Sequence, residues 1–193
     1  MVDSADIHTD ARLTRRQYFG LVAAGRIQPG DRVELLEGVV VAMSPQNPPH
    51  AAAVRRADTA LRRALPAGTV VSVQSPLVLD ERSVPEPDVA VVPGVEADYD
   101  QAHPATAWLV VEVADSSLAQ DRITKTRIYA GARIPEVWIV NLRDDRIEVF
   151  RDPDPAARVY GTTSSHARGE LLHPAAFPAA SVSVDELLPR AAG

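Results

Sequence analysis

Residues 107–142 read AWLVVEVADSSLAQDRITKTRIYAGARIPEVWIVNL. Two apolar runs of strand length, one ending in VVEVA and one reading EVWIV, flank a segment with helical spacing. Ser117 and Gln120 have the spacing of a capping box, and Gly131 stands where a glycine would close the helix, so the pattern predicts a helix over roughly 118–130. Strand, helix and strand in immediate succession imply a right-handed crossover and a parallel strand pair. That one inference sets the class: α/β (α+β), built on a mixed sheet.

The flanking sequence extends the sheet on both sides. Downstream, Asp144 and Asp145 turn the chain from EVWIV into RIEVF, a hairpin. Upstream, residues 68–80 (GTVVSVQSPLVLD) and 86–94 (EPDVAVVPG) read as strands bounded by proline and glycine. Residues 31–45 read as two strands around a turn at Glu37 and Gly38, and 14–25 as a short helix. Between about 50 and 65 a second helix is amphipathic. Val54, Ala57, Leu61, Ala64 and Leu65 lie on one side, with Arg55, Arg56, Arg62 and Arg63 on the other. The expected sheet has about five or six strands, flanked by helices. The expected organisation is an extended or disordered stretch at 1–12 and a single domain over 13–190. Its core spans 31–150, and 151–193 is less regular, with short strands near 157–161 and 169–173 and a short helix near 184–190.

Composition excludes several chemistries. The chain has 193 residues, 46 % apolar and 24 % charged, the balance of a soluble globular protein. It has no cysteine, which removes disulfides, thiolate zinc sites and cysteine nucleophiles together. The five histidines show no pairing at metal-ligand spacing. The polar, acidic N-terminus lacks the pattern of a signal peptide and no apolar run reaches membrane length, so a cytoplasmic protein with no membrane contact is expected. A net charge of −6 argues against non-specific attraction of nucleic acid by the whole surface. It leaves room for a local basic face, although the arginines of the second helix more often mark a solvated one.

Two carboxylates stand where a sheet ordinarily tolerates none. Asp88 opens the run DVAVV and Glu112 sits between Val111 and Val113, and a buried carboxylate requires a cation or strong donors. Lys125 is the third member, the single lysine among twenty basic residues. At about 100° per residue, Leu118, Arg122, Lys125 and Tyr129 share a stripe of the helix that follows the Glu112 strand, so the amine can reach back toward that carboxylate. Two acids and one amine suit hydrolysis of a phosphodiester. Hard oxygen ligands hold Mg²⁺ or Mn²⁺, and an ammonium orients the attacking water or offsets growing negative charge. Lysine is a compact point charge that arginine does not replace there. Ordinary readings compete: Asp88 as a turn acid, Glu112 paired with Arg122, Lys125 paired with Asp121.

The segments RVELLEGVVVAMSP, EPDVAVV, LVVEVADSS and DRITKTRIYAGARIPEVWIV, in this order and spacing, resemble the Uma-two family of putative restriction endonucleases, a branch of the PD-(D/E)XK nuclease superfamily. The resemblance covers roughly residues 13–150 and implies a restriction-endonuclease-like core. Residue by residue, it implies Asp88 as the metal-binding aspartate and Glu112 as the acid of the second half-motif. The superfamily lysine would fall two positions on, where this chain has Ala114, so the resemblance points to Lys125 on the following helix. Glu34 matches another recurrent acid. Gln74 and His50 are weaker site candidates.

The expected function is therefore a Mg²⁺-dependent (or Mn²⁺-dependent) endonuclease acting on DNA, with RNA as the other substrate to consider. Cleavage of two strands favours a homodimer, for which the hairpin 136–150 is a candidate edge. The rival is a catalytically inactive scaffold of the same fold that binds nucleic acid or dimerises.

Overall fold

The computed structural model describes residues 12–28, 30–115, 119 and 121–190. The capping pair Ser117 and Gln120, Leu118, and the expected extended stretch up to residue 11 lie outside the described residues.

Helix α1 (Arg15–Ala23) starts on a capping box between Thr14 and Gln17. Strands β1 (Val33–Leu36) and β2 (Val39–Ala42) form a hairpin whose turn residues, Glu37 and Gly38, have φ of 50° and 85°. Two successive positive φ values match the right-handed twist of the strands they join. Glycine at 38 also answers a close approach, because a Cβ there would lie 2.5 Å from that of Arg12. Helix α2 (Pro48–Ala64) is capped by Asn47, whose side chain accepts the His50 N–H, and proline occupies its first turn.

The main sheet follows: β3 (Val70–Val73), β4 (Val89–Val92), β5 (Leu109–Ala114), β6 (Glu136–Asn141), β7 (Arg146–Asp154) and β8 (Val159–Ala167), hydrogen-bonded in that order. Only β5 and β6 are parallel, from Val110 opposite Val137 to Ala114 opposite Asn141. The parallel pair is the one the 107–142 pattern predicts. Its crossover carries a π-helical turn, Asp121–Lys125, and helix α3 (Thr126–Gly131). Two short strands, β9 (Leu171–Leu172) and β10 (Val182–Ser183), and helix α4 (Val184–Leu187) complete the described chain. Among the described residues no helix is long and apolar enough to cross a membrane.

Both faces of the sheet are covered, and the alternation of β5 shows how. Leu109, Val111 and Val113 pack with Ala53, Val54, Ala57 and Leu61 of α2 and with Leu187 of α4. Val110 and Ala114 face the other way, toward Tyr129, Ile134 and Leu77. All six residues of β5 are buried, as expected of a strand interior to its sheet and covered on both faces. Glu112 falls on the α3 side of this alternation.

Three local expectations are corrected. Residues 68–80 are not one strand: β3 stops at Val73, Gln74 turns to φ 46°, and its N–H donates to the Asp88 carbonyl. Gly131 is the last residue of α3 rather than its left-handed cap, a conformation taken by Arg133 at φ 62°; a Cβ at 131 would come within 3.0 Å of Arg158 Nε. The hairpin 136–150 is not an edge, because β8 pairs along nearly the whole of β7; the edges are β3 and β8.

Candidate active site

Asp88 immediately precedes β4 and is buried. Its Oδ2 accepts the Val113 N–H at 2.8 Å, so the side chain continues the β4–β5 ladder beyond the last paired residue. Oδ1 lies 3.1 Å from His50 Nε2 and accepts from Gln74 Nε2 at 3.1 Å. Burial alone would raise this carboxyl, but His50, the Val113 N–H and Gln74 together outweigh it and hold it below its usual range.

Glu112 projects from the next strand into the same region. Its Oε1 accepts from Lys125 Nζ at 3.2 Å and from the Tyr129 hydroxyl at 2.5 Å. Lys125 Nζ also lies 3.3 Å from Glu34 Oε2. Glu34 comes from β1, which an isolated bridge between Leu35 and Val84 ties to the segment leading to Asp88, and its Oε2 further accepts the Glu86 N–H at 3.1 Å. The lysine thus bridges two buried acids from separate sheets. Burial pushes the Glu112 carboxyl up to about 8, only partly offset by Lys125. Burial would lower the Lys125 amine, but Glu112 and Glu34 outweigh it and hold it above its usual value, so it is an ammonium. That charge state fits stabilisation and orientation rather than proton abstraction.

Asp88, Glu112, Lys125, Glu34 and His50 line one cavity of about 40 Å³, together with Glu86, Asp121, Arg32, Met43 and Ser44. Such a space admits a few waters, which its polar walls can bond. Gln74 reaches it through Asp88. The structure therefore brings together all six residues that the sequence singles out.

The reason Lys125 faces inward differs from the expected α-helical stripe. In the wide π turn, Asp121 and Lys125 are buried while Arg122 is exposed and bonds Glu148 on β7, its Nε to Oε2 at 2.7 Å. Arg122 is thus not the partner of Glu112. π turns are rare and concentrate at functional sites. The residue that the sequence reading passed over is Tyr129, one turn beyond the lysine. Its position on the Lys125 side was visible, but an aromatic at helical spacing reads first as core.

The family model described as "Putative restriction endonuclease" matches residues 16–185. The chain belongs to the Uma2 family. None of the curated proteins matches it. Among solved structures, a crystal structure described as that of a putative nuclease belonging to DUF820, from Anabaena variabilis ATCC 29413, has a TM-score of 0.70 at 13 % identity, covering 91 % of this chain and 97 % of that one. At that identity the likeness establishes the fold, and with it the mixed sheet flanked by helices. The resemblance read from the motifs is borne out. In this Uma2 chain the position two after Glu112 is the buried Ala114, and the lysine that faces the cavity, Lys125, lies in the π turn.

Proposed function

We propose that this Uma2 protein is a metal-dependent endonuclease that hydrolyses phosphodiester bonds of DNA. The observation that carries the reading is the convergence of Asp88, Glu112 and Lys125, from the entry to β4, from β5 and from the crossover between β5 and β6, on one water-sized polar cavity.

The donor set suits a hard cation. Among the described residues no group of three or more His, Cys, Asp or Glu side chains is arranged to hold a metal by itself. Mg²⁺ is commonly bound by one or two carboxylates and keeps several waters, which matches Asp88 and Glu112 beside a small polar cavity. When bound there, Mg²⁺ or Mn²⁺ would polarise the phosphoryl oxygen and acidify a coordinated water. His50 and Gln74 hold Asp88 in one orientation, and Tyr129 does the same for Glu112. Lys125, as an ammonium, donates to the attacking water or to a non-bridging phosphoryl oxygen. Water oxygen bonds to phosphorus and gives up a proton to solvent, the bond from phosphorus to the leaving ester oxygen breaks, and that oxygen takes a proton from solvent. Glu34 keeps the lysine anchored throughout. Cutting both strands of a duplex with one site per chain calls for two copies, so a homodimer belongs to this proposal.

The test is cleavage of supercoiled plasmid with Mg²⁺, Mn²⁺, Ca²⁺ or EDTA, comparing wild type with Asp88→Asn and Lys125→Met. Metal-dependent nicking that falls by about a hundredfold or more in each variant is expected. Undiminished cutting in either variant would sink the assignment of that residue. Absence of cutting with every metal would favour the inactive scaffold, a reading supported by the fact that Lys125 already satisfies two acids internally.

A further inference from the structure

A second cleft opens beside the site. It encloses about 470 Å³, within the usual size of small-molecule pockets. Its apolar part is made by Tyr18 and Phe19 of α1 with Val22 and Ile27; its polar part includes Gln74, Glu86 and Arg32. The cleft adjoins the candidate active site: Arg32, Met43 and Glu86 line both, and Gln74 lines this cleft while its amide holds Asp88. Gln74 does so from a left-handed backbone, a conformation that non-glycine residues rarely adopt outside functional or tightly determined positions.

One feature of the cleft is aromatic and partly open. The rings of Phe19 and His103 stack with centroids 5.9 Å apart and planes 12° from parallel, with His103 exposed and Phe19 half-buried. Around this stack the walls carry the acids Asp31 and Glu86 and the amide of Gln74. Carboxylates repel a phosphate, yet they accept hydrogen bonds from the exocyclic amino groups of bases, and an amide can pair with a base edge. Arg32 stands at the junction of the two spaces, where a backbone phosphate would pass from one to the other.

We propose that this cleft is a subsite for an unpaired nucleobase adjacent to the scissile phosphate. The base stacks on the Phe19 and His103 rings and presents its edge to Gln74 and Glu86. The preferred substrate is then a single strand, or a nucleotide turned out of its duplex, because a base within a helix has no free face to stack. The inference takes the position of the phosphate from the nuclease reading, but its test separates the two.

The full chain is titrated, in EDTA, into a fluorescein-labelled single strand of about eight nucleotides, the same strand with one abasic nucleotide, and a hairpin duplex of equal charge. Wild type is expected to bind the intact single strand most tightly. Phe19→Ala and His103→Ala each weaken that binding about tenfold and leave duplex binding unchanged, and the abasic strand shows a similar loss with wild type. Phe19→Trp retains binding. His103 is exposed, so its variant keeps the test valid if Phe19→Ala fails to fold. Single-strand binding by His103→Ala equal to wild type, together with no preference over duplex, overturns the subsite. In that event metal-dependent plasmid cutting leaves the nuclease reading standing. Conversely, absence of metal-dependent cutting of both plasmid and single strand, with Phe19-dependent and His103-dependent binding intact, removes the nuclease reading and keeps the subsite.

Discussion

Glu112 and Glu136 are both buried glutamates on neighbouring parallel strands, and they are held in opposite ways. Glu136 Oε1 accepts from Trp138 Nε1 at 2.8 Å and from Arg151 Nε and a terminal nitrogen at 2.9 and 2.6 Å. Its Oε2 accepts the Ala175 N–H at 2.6 Å, while Arg151 continues to the His173 carbonyl at 2.7 Å. The carboxylate thereby clasps β6, β7 and the 173–175 loop together. Glu112 has a lysine and a tyrosine for partners, stands on a cavity wall, and has its proton affinity raised by burial. A buried acid saturated by donors that the fold fixes is structural. One left facing a cavity beside a cation is available for chemistry.

The widest break in this comparison should come from altering each acid. Glu112→Gln is expected to lower plasmid cleavage by about a thousandfold, since the metal would lose one of two carboxylates. It should lower the melting temperature of the metal-free protein less than loss of Glu136 does, because the amide keeps the shape of the side chain and Glu34 still pairs with the Lys125 ammonium. Glu136→Ala should do the reverse. Stranding Arg151 and the Trp138 and Ala175 N–H donors costs about 3–5 kcal/mol in a urea melt, while the protein that remains folded cleaves normally. Equal stability losses in the two variants would erase the distinction.

A finer test concerns the donors around Glu112. Tyr129→Phe removes one hydrogen bond to the carboxylate without changing ring packing, and about tenfold slower cleavage is expected, with a stability loss of about 1 kcal/mol in urea melts. The smallest effect should come from Glu148, which, like Glu136, answers to an arginine. Burial would raise its carboxyl, but Arg122 and Asn141 outweigh that and lower it from its usual 4.5. Its contribution to stability is therefore present above that value and is lost as pH falls through the folded one. Glu148→Gln should cost about 1 kcal/mol at neutral pH, and the gap to wild type in urea melts should close as the pH falls below the usual carboxyl value of 4.5.

Much of the fold was legible because it rests on local periodicity. The apolar runs at 109–114 and 136–141, the helical spacing between them and the turn at Glu37 and Gly38 are short-range signals, and each element formed close to its expected place. The errors lie where distant chain decides. The run at 68–80 is apolar enough for a strand, yet the backbone turns at Gln74, whose amide bonds the carboxylate of Asp88, fourteen residues on. Gly131 looks like a cap until Arg158 of a distant turn is seen beside it. β8 was underestimated because its outward residues are polar and small, and a strand at a sheet edge needs little apolar pattern.

The sequence by itself determined the class of fold, the parallel pair at its centre, and the three residue types on which a phosphodiester chemistry could rest. Charged residues inside an apolar strand are conspicuous because burying them is costly, and that cost is visible without coordinates. The tertiary structure decided how the costs are met. It placed Glu34 from a separate hairpin against Lys125, widened the helix into a π turn that aims the amine inward, and gave Arg122 to Glu148 rather than to Glu112. Ion pairing depends on distances of a few ångströms between residues far apart in the chain, and neither periodicity nor propensity carries that information.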